Sequence, residues 1–307
     1  MTVHKLSIDD VENYFLNLQK NICLELENID QVGRFREDPW CKENSNGITK
    51  VLSKGKIFEQ AGVNVSRIMG HKMPQAATVR HPELVGSAFE AMGVSVVIHP
   101  ANPYVPISHM NVRFFLARPK IGELNWWFGG GFDLSPCYGF VDDAVHWHRV
   151  AQKACQKFSP GLYERFKASC DDYFRVKHRE EQRGIGGIFF DDFNEQNFNY
   201  AFEVTRSIGD HFLPAYLPIV ERRKNLSFGK KEREFQLFRR GRYVEFNLVH
   251  DRGTRFGLES GGRTKSILVS LPPQASWHYE WPTTNEHDPQ EYLKQNFLQP
   301  KDWLNNL

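Results

Sequence analysis

The chain has 307 residues, with 39 Lys and Arg against 37 Asp and Glu, for a formal charge of +2. That balance excludes a polyelectrolyte tail and a strongly basic nucleic-acid binder held by counterion release. Hydrophobic residues at 40% and charged residues at 25% are globular values, and 24 Phe, 10 Tyr and 7 Trp suit either a flat apolar ligand or a large sheet packed on helices.

The opening MTVHKLSIDDVENYF has neither the cationic head and apolar run of a signal peptide nor the Arg- and Ser-rich character of a transit segment. No stretch approaches the ~18 apolar residues of a membrane span. Cys23, Cys41, Cys137, Cys155 and Cys170 form no CxxC pair and leave an odd one, so no disulfide framework is indicated. A soluble, reduced, cytoplasmic protein with no transmembrane segment is expected.

Ser7 followed by Asp10 reads as an acidic capping box, and Val11, Phe15, Leu18, Ile22 and Leu26 recur near i+4, predicting a first helix. Residues 48–68 predict a hairpin around Ser-Lys-Gly. SVVIH (95–99) and MNVRFFLA (110–117) read as strands joined by PANPYVPIS, and WWFGGGFDL continues the β pattern with Gly129, Gly130 and Gly131 at a bend or close approach. Asp142 and Asp143 start a helix with Ala144, Val145, His148, Ala151 and Cys155 on one face. Pro160 sits in the first turn of the next, which runs to about Val176. GIGGIFF (184–190) is a strand ending in Asp191 and Asp192. Two helical segments then flank a basic stretch read as a solvated helix face, and strands follow at 243–249 and 266–271. Strands cluster rather than alternate with helices. The expectation is an α+β fold with one large, mostly antiparallel sheet in a single domain over 1–307.

Side chains alternate faces along a strand, so Ser95, Val97 and His99 share one face, as do His109, Asn111 and Arg113, with Met110, Val112 and Phe114 opposite. Paired, these faces make a polar patch backed by an apolar core. Solvent faces favour Lys, Glu and Thr; His, Asn and Arg favour a site. His148 in a helix and His178 near a helix end are candidates for the same place, and neutral imidazole is a common metal ligand. No HxxxH, HExxH or two-histidine-one-carboxylate spacing supports a cage. A second cluster, His250-Asp251-Arg252-Gly253-Thr254-Arg255 with Gly261-Gly262-Arg263, combines guanidinium forks with glycine and so suits carboxylate binding or, equally, a charged β-turn. Neither GIGGIFF nor the GGG run has the spacing of a phosphate loop.

HPANPYVPISHMNVR, WWFGGGFDLSP, KHREEQRGIGGIFFDD, YVEFNLVHDRGTRFGL and SGGRTKSILVSLPP, in that order, resemble the oxygen-dependent coproporphyrinogen III oxidases of bacterial type, from about residue 5 to 305. The resemblance implies a sheet flanked by helices on both faces and a homodimer, with 243–278 as the dimerisation segment. It implies oxidative decarboxylation of the ring A and ring B propionates of coproporphyrinogen III to vinyls, giving protoporphyrinogen IX in haem biosynthesis. Molecular oxygen is then the co-substrate, and no organic cofactor is used. By the same resemblance Ser95, Asn111, Val112, Arg113, Gly261, Gly262 and Arg263 bind substrate, and His109 is the proton donor. Asp251 and Arg252, in the matching DRGT segment, are assigned to the pyrrole NH groups and a propionate; Arg255 stands where the family often has Lys. His99, His109, His148 and His178 match a proposed ligand set for a divalent metal, although turnover without a redox-active metal is the expectation. A metal-dependent His-cluster oxygenase and a non-catalytic tetrapyrrole carrier are the alternatives.

Overall fold

The computed structural model describes residues 7–305 apart from 44, 74–77, 79, 260 and 283–287. The first six residues of the opening segment and Ser260 of the SGGRT string lie outside the described residues. Helix α1 (Ile8–Asp30) buries Val11, Phe15, Leu18, Ile22 and Leu26, the face its periodicity predicts. Its capping box does not form: the Ser7 hydroxyl donates to the Asp10 carboxylate and accepts no backbone N–H.

At the other end of α1 the Asp30 carboxylate is fully buried. It accepts the backbone N–H of Val32 (3.3 Å), Gly33 (2.5 Å), Lys56 (3.0 Å), Ile57 (2.8 Å) and Phe58 (2.9 Å). Burial opposes its charge, but the N–H groups of Phe58, Gly33, Ile57 and Lys56 outweigh that and hold its pKa below the ordinary value. One side chain thus pins the helix end to the turn of the first long hairpin.

Strands β1 (Phe35–Lys42), β2 (Ser45–Ser53), β3 (Phe58–Gly70), β4 (Ala88–Pro100), β5 (Ile107–Arg118) and β6 (Asn125–Ser135) form an antiparallel meander. Helices α2 (Val141–Gln156) and α3 (Leu162–Tyr173) and a small ribbon, β7 (Arg175–Val176) with β8 (Glu181–Gln182), intervene. Strand β9 (Gly186–Phe193) then pairs beside β6 as the seventh strand. The edge strand β1 carries charges and Pro39, which an edge tolerates. Pro160 falls before α3, not in its first turn: Gly161, at φ 75°, caps a helix that ends at Tyr173, three residues short of Val176.

The sheet is covered on both faces. Val94, Val96, Ile98, Met110, Val112, Phe114, Phe132 and Ile188 point one way, into a core shared with α1, α2, α3 and α4 (Phe198–Arg223). On the other face α5 (Lys230–Val249) packs Tyr243 on Val97 and Ile107, and α6 (Arg252–Glu259) and α7 (Thr264–Leu268) lie there as well. Phe235 and Phe238 of α5, with Leu293 of α8 (Pro289–Asn296), join the core. Among the described residues no helix is long and apolar enough to cross a membrane.

Two expected strands are helical. Residues 243–249 complete α5, whose buried Phe235, Phe238, Tyr243 and Phe246 follow helical spacing, with Arg239, Arg240 and Arg242 between them. Buried charges broke the apolar period there and left a short β-like string visible: Arg239 pairs with Glu181 at 2.9 Å and Arg240 with Glu59 at 2.7 Å. Residues 266–271 are the end of α7 and the turn after it. They lie across β2 and β3: Asn64 Nδ2 donates to the Ser266 carbonyl, and Gln60 Nε2 to those of Val269 and Leu271. A Cβ on Gly62 would sit 2.8 Å from Val269 Cγ1, so glycine lets this segment approach the sheet. The segment 243–278 is therefore helix and turn, with no strand among its described residues. The basic stretch is not one solvated face either: Arg222 and Arg223 bind Asp143, the helix breaks over 226–229, and Arg233 binds Glu59.

Candidate active site

A cavity of about 360 Å³ lies between the polar face of the sheet and the α6–α7 segment. Register sets its floor. Gly93 faces Arg113, Ser95 faces Asn111 and Val97 faces His109 across β4 and β5. Beyond β5, His109 faces Asp133, Asn111 faces Gly131 and Arg113 faces Gly129. The GGG run makes room for this floor: a Cβ on Gly129 would lie 2.9 Å from Nε and Nη2 of Arg113. At Gly131, where φ is 141°, it would meet the Ile188 carbonyl at 2.0 Å.

Arginines gather at one end. Asp191 Oδ1 binds Arg113 Nη2 at 2.6 Å, and its Oδ2 binds Arg80 Nη2 at 2.5 Å and Arg252 Nη2 at 3.3 Å. Burial works against the Asp191 charge, yet Arg113, Arg80 and Arg252 prevail and bring its pKa down to about 2. Arg113 also donates Nη1 to Asn111 Oδ1 at 3.1 Å. Beside it runs an aromatic wall: Trp127 stacks on His81 (4.5 Å, 22°) and on Phe115 (4.5 Å, 10°), and Phe115 stacks on Phe89 (5.5 Å, 6°).

Deeper on the floor, His109 Nδ1 donates to Asp133 Oδ1 at 2.8 Å. Arg183 holds the same carboxylate through Nη2 at 2.7 and 2.8 Å, packed against the rings of Phe174 (4.3 Å), Tyr243 (4.6 Å) and Phe246 (4.6 Å). Burial would raise the Asp133 pKa, but Arg183 and His109 lower it. An ionised Asp133 can only accept, so Nδ1 carries the hydrogen and Nε2 is the ring nitrogen left to the cavity.

Asp251 hangs from the roof. Its Oδ2 accepts the Thr254 backbone N–H and hydroxyl, both at 2.7 Å, which caps α6. Its Oδ1 accepts the Tyr173 hydroxyl at 2.8 Å. Burial raises its pKa, and the Thr254 and Tyr173 hydrogen bonds bring it below the ordinary value. A carboxylate offers about four acceptor positions, so one on Oδ1 is left over. Arg252 lies over Tyr173 (4.7 Å), which stacks on Phe189 (4.2 Å, 11°). Elsewhere in the roof Arg263 Nη2 binds Asp38 Oδ1 at 3.0 Å, while its buried Nη1 has no partner among the described residues. Five arginines (Arg80, Arg113, Arg183, Arg252, Arg263) against three aspartates (Asp191, Asp192, Asp251) line the cavity. It is built for an anion with apolar, flat surfaces.

The family model for coproporphyrinogen III oxidase matches residues 10–303. The chain belongs to that family. Coproporphyrinogen III oxidases are oxidoreductases acting on coproporphyrinogen, which gives this chain a role in porphyrin biosynthesis. A tetracarboxylate macrocycle explains why guanidinium groups and aromatic walls share one cavity.

Of the residues matched to the family's functional positions, Ser95, His109, Asn111, Arg113, Asp251, Arg252, Gly262 and Arg263 line the cavity together. The Val112 side chain does not: it is fully buried in the opposite core. Gly261, at φ 70°, turns the chain instead, its carbonyl accepting from Lys42 Nζ at 3.2 Å.

The four histidines proposed for a metal lie in four settings. His99 is fully buried, with Nε2 donating to the Ser270 carbonyl at 2.9 Å; burial and then the Arg240 charge push its pKa down to about 3. His148 belongs to the helical core, Nδ1 accepting from the Tyr163 hydroxyl and Nε2 donating to the Ile185 carbonyl, both at 2.9 Å. Its pKa also falls to about 3, through burial. His178 binds Glu245 (2.8 Å) and His250 (3.0 Å). Only His109 of the four lines the cavity. Among the described residues no three His, Cys, Asp or Glu converge as a metal site, so the four rings do not fit one ion as a single ligand set.

Asp133, Arg183, Tyr173, Asp191 and Arg80 were not singled out from the sequence as site residues. The acidic pair closing the apolar run GGIFF was the available signal for Asp191. Nothing local marks the others, since each gains its role from a partner far along the chain.

Proposed function

We propose that the protein catalyses oxygen-dependent oxidative decarboxylation of the ring A and ring B propionates of coproporphyrinogen III, giving protoporphyrinogen IX. Each turn takes a propionic acid side chain, R–CH2–CH2–COOH, and O2 to R–CH=CH2, CO2 and H2O2. The carboxylate leaves as CO2, two electrons and two protons pass to oxygen, and the substrate supplies both electrons. No organic cofactor is required by that balance.

The single observation that carries the reading is an arginine-lined cavity around one ionised, partly satisfied carboxylate, Asp251. Its remaining acceptor position suits a pyrrole N–H, and its charge favours the positive charge that develops on an electron-rich ring as oxygen is reduced. His109, held by Asp133, has its Nε2 available to receive or return a proton. Arg252, Arg113 and Arg263 take carboxylates as charge-assisted forks. Ser95, Asn111 and the Gly262 backbone complete the floor and roof.

The protein acts as a homodimer in this reading, through 243–278. Leu248 (49% exposed), Val249 (54%) and Trp277 (54%) support that placement as apolar side chains left open on the described surface. Light scattering of the purified protein tests it, a dimer being expected. A cytoplasmic location accompanies the proposal.

The deciding experiment incubates purified protein with coproporphyrinogen III with and without oxygen and separates the products by chromatography. Protoporphyrinogen IX with CO2 and peroxide, only when oxygen is present, is expected. Tight binding with no CO2 would make the protein a carrier, and decarboxylation independent of oxygen would overturn the reaction.

A further inference from the structure

We infer that Arg80, with Arg113 and Arg252, forms a three-guanidinium clamp on a substrate propionate that survives the turnover, not on the one that leaves as CO2. The inference rests on the proposed reaction and adds to it a binding residue, Arg80, and a choice between propionates.

Arg80 stands just before β4, outside every strand and helix of the floor. Its guanidinium nevertheless reaches the cavity, binding Asp191 Oδ2 and, through Nη1, Asp192 Oδ2 at 3.0 Å. The next residue, His81, stacks on Trp127 and fixes the approach of the chain. Arg113 and Arg252 reach the same Asp191 carboxylate from the floor and the roof. Three like charges converging on one point would repel; the partly buried Asp191 carboxylate is what allows them to stand together. Each guanidinium carries five N–H groups, and none of the three spends more than three of them on Asp191, Asp192 and Asn111. The remainder can serve a second carboxylate.

Chemistry decides which carboxylate. Decarboxylation moves the carboxylate's electron pair into the substrate and converts an anion into neutral CO2. Charge-assisted hydrogen bonds to that anion are strongest before the reaction and vanish during it, so they would raise the barrier. A cluster of three arginines therefore favours a propionate that stays charged. The leaving propionate belongs against the apolar part of the cavity, where Val97, Ile267 and Val269 line it.

The test uses the stable oxidised porphyrins as probes: coproporphyrin III with four carboxylates and protoporphyrin IX with two. Binding to wild type and Arg80→Ala is measured by fluorescence quenching, and circular dichroism checks that the variant is folded. Arg80 is 41% exposed, so its truncation leaves no cavity in the core. Arg80→Ala is expected to weaken both porphyrins by a similar factor of about ten or more, the cost of losing one charged hydrogen-bonding partner. Loss of affinity for coproporphyrin III alone would place the clamp on a reacting propionate and overturn the choice. Unchanged affinity for both would remove Arg80 from the site while leaving the proposed reaction, tested by turnover of the wild type, untouched. Failure of wild type to bind either porphyrin would defeat the clamp and count against the functional reading as well.

Discussion

The two faces of the central sheet are made by the same strands and do opposite work. On β5, Met110, Val112 and Phe114 enter the helical core, while His109, Asn111 and Arg113 form the cavity floor. The first face is large, apolar and interlocked with four helices. The second is polar and interrupted by glycine, with His109, Asn111 and Arg113 each held by a partner from another strand. Stability comes mainly from the face where side chains can be filled in without regard to chemistry. Function comes from the face where volume is given up. The strand alternation is what lets both be written in one segment of sequence.

That division can be broken most strongly on the core side. Phe114 is fully buried among Phe128 and Phe198, and Phe114→Ala should cost about 3–5 kcal/mol of stability. Urea denaturation would show it, with turnover per folded molecule largely kept. Comparable loss of turnover in the folded fraction would mean that the faces are not independent. On the cavity side Asp251→Ala should raise the activation barrier by about 3–4 kcal/mol, on the scale of a removed electrostatic stabiliser, with a smaller stability loss from the helix cap. His109→Ala should also lower kcat in a folded protein, on the scale of a lost acid–base group, about 100-fold or more. Normal steady-state turnover in either variant would remove that residue from the chemistry.

Smaller effects follow for the arginines. Arg113→Ala and Arg263→Ala should raise KM more than they lower kcat, by about 1.5–3 kcal/mol each in kcat/KM. Unchanged kinetics in both would put the carboxylates elsewhere. The last difference is invisible at neutral pH. His148 is buried as the neutral ring with its pKa near 3, against 6.5 in an open chain. The unfolded chain takes up a proton between those values and the folded protein does not, so stability should fall as pH drops from about 6.5 towards 3. Thermal melts of wild type and His148→Gln across that interval should show a shallower decline in the variant. Parallel declines would assign the acid sensitivity to other groups.

Much of this was legible because the floor is local. Ser95 and Asn111 are close enough in sequence for alternation to show their common face, and the long strings of family resemblance carried Asp251, Arg252, Gly262 and Arg263 into the same site. Asp133 was opaque for the opposite reason, and Asp191 was marked only by its place in an acidic pair. Each is an ordinary aspartate on its own strand and acquires its full meaning only when Arg183 or Arg80 arrives from 50 or 111 residues away. The segment 243–249 misled because local β-like composition met a helix already committed by upstream residues to burying Tyr243 and Phe246. Val112, within the same matching string, turns its side chain to the core.

The order of the chain gives the cavity a history. Its floor is complete once Phe193, the end of β9, has been synthesised, whereas its roof starts at Asp251. At translation rates of about 5–20 residues per second that interval lasts roughly 3–12 s. During it, the polar face of a nascent sheet waits beside the ribosome with the floor's arginines uncovered, and the helical core also still lacks Leu293, Phe297, Leu298 and Trp303. The roof of the binding site is therefore made only after its floor is complete.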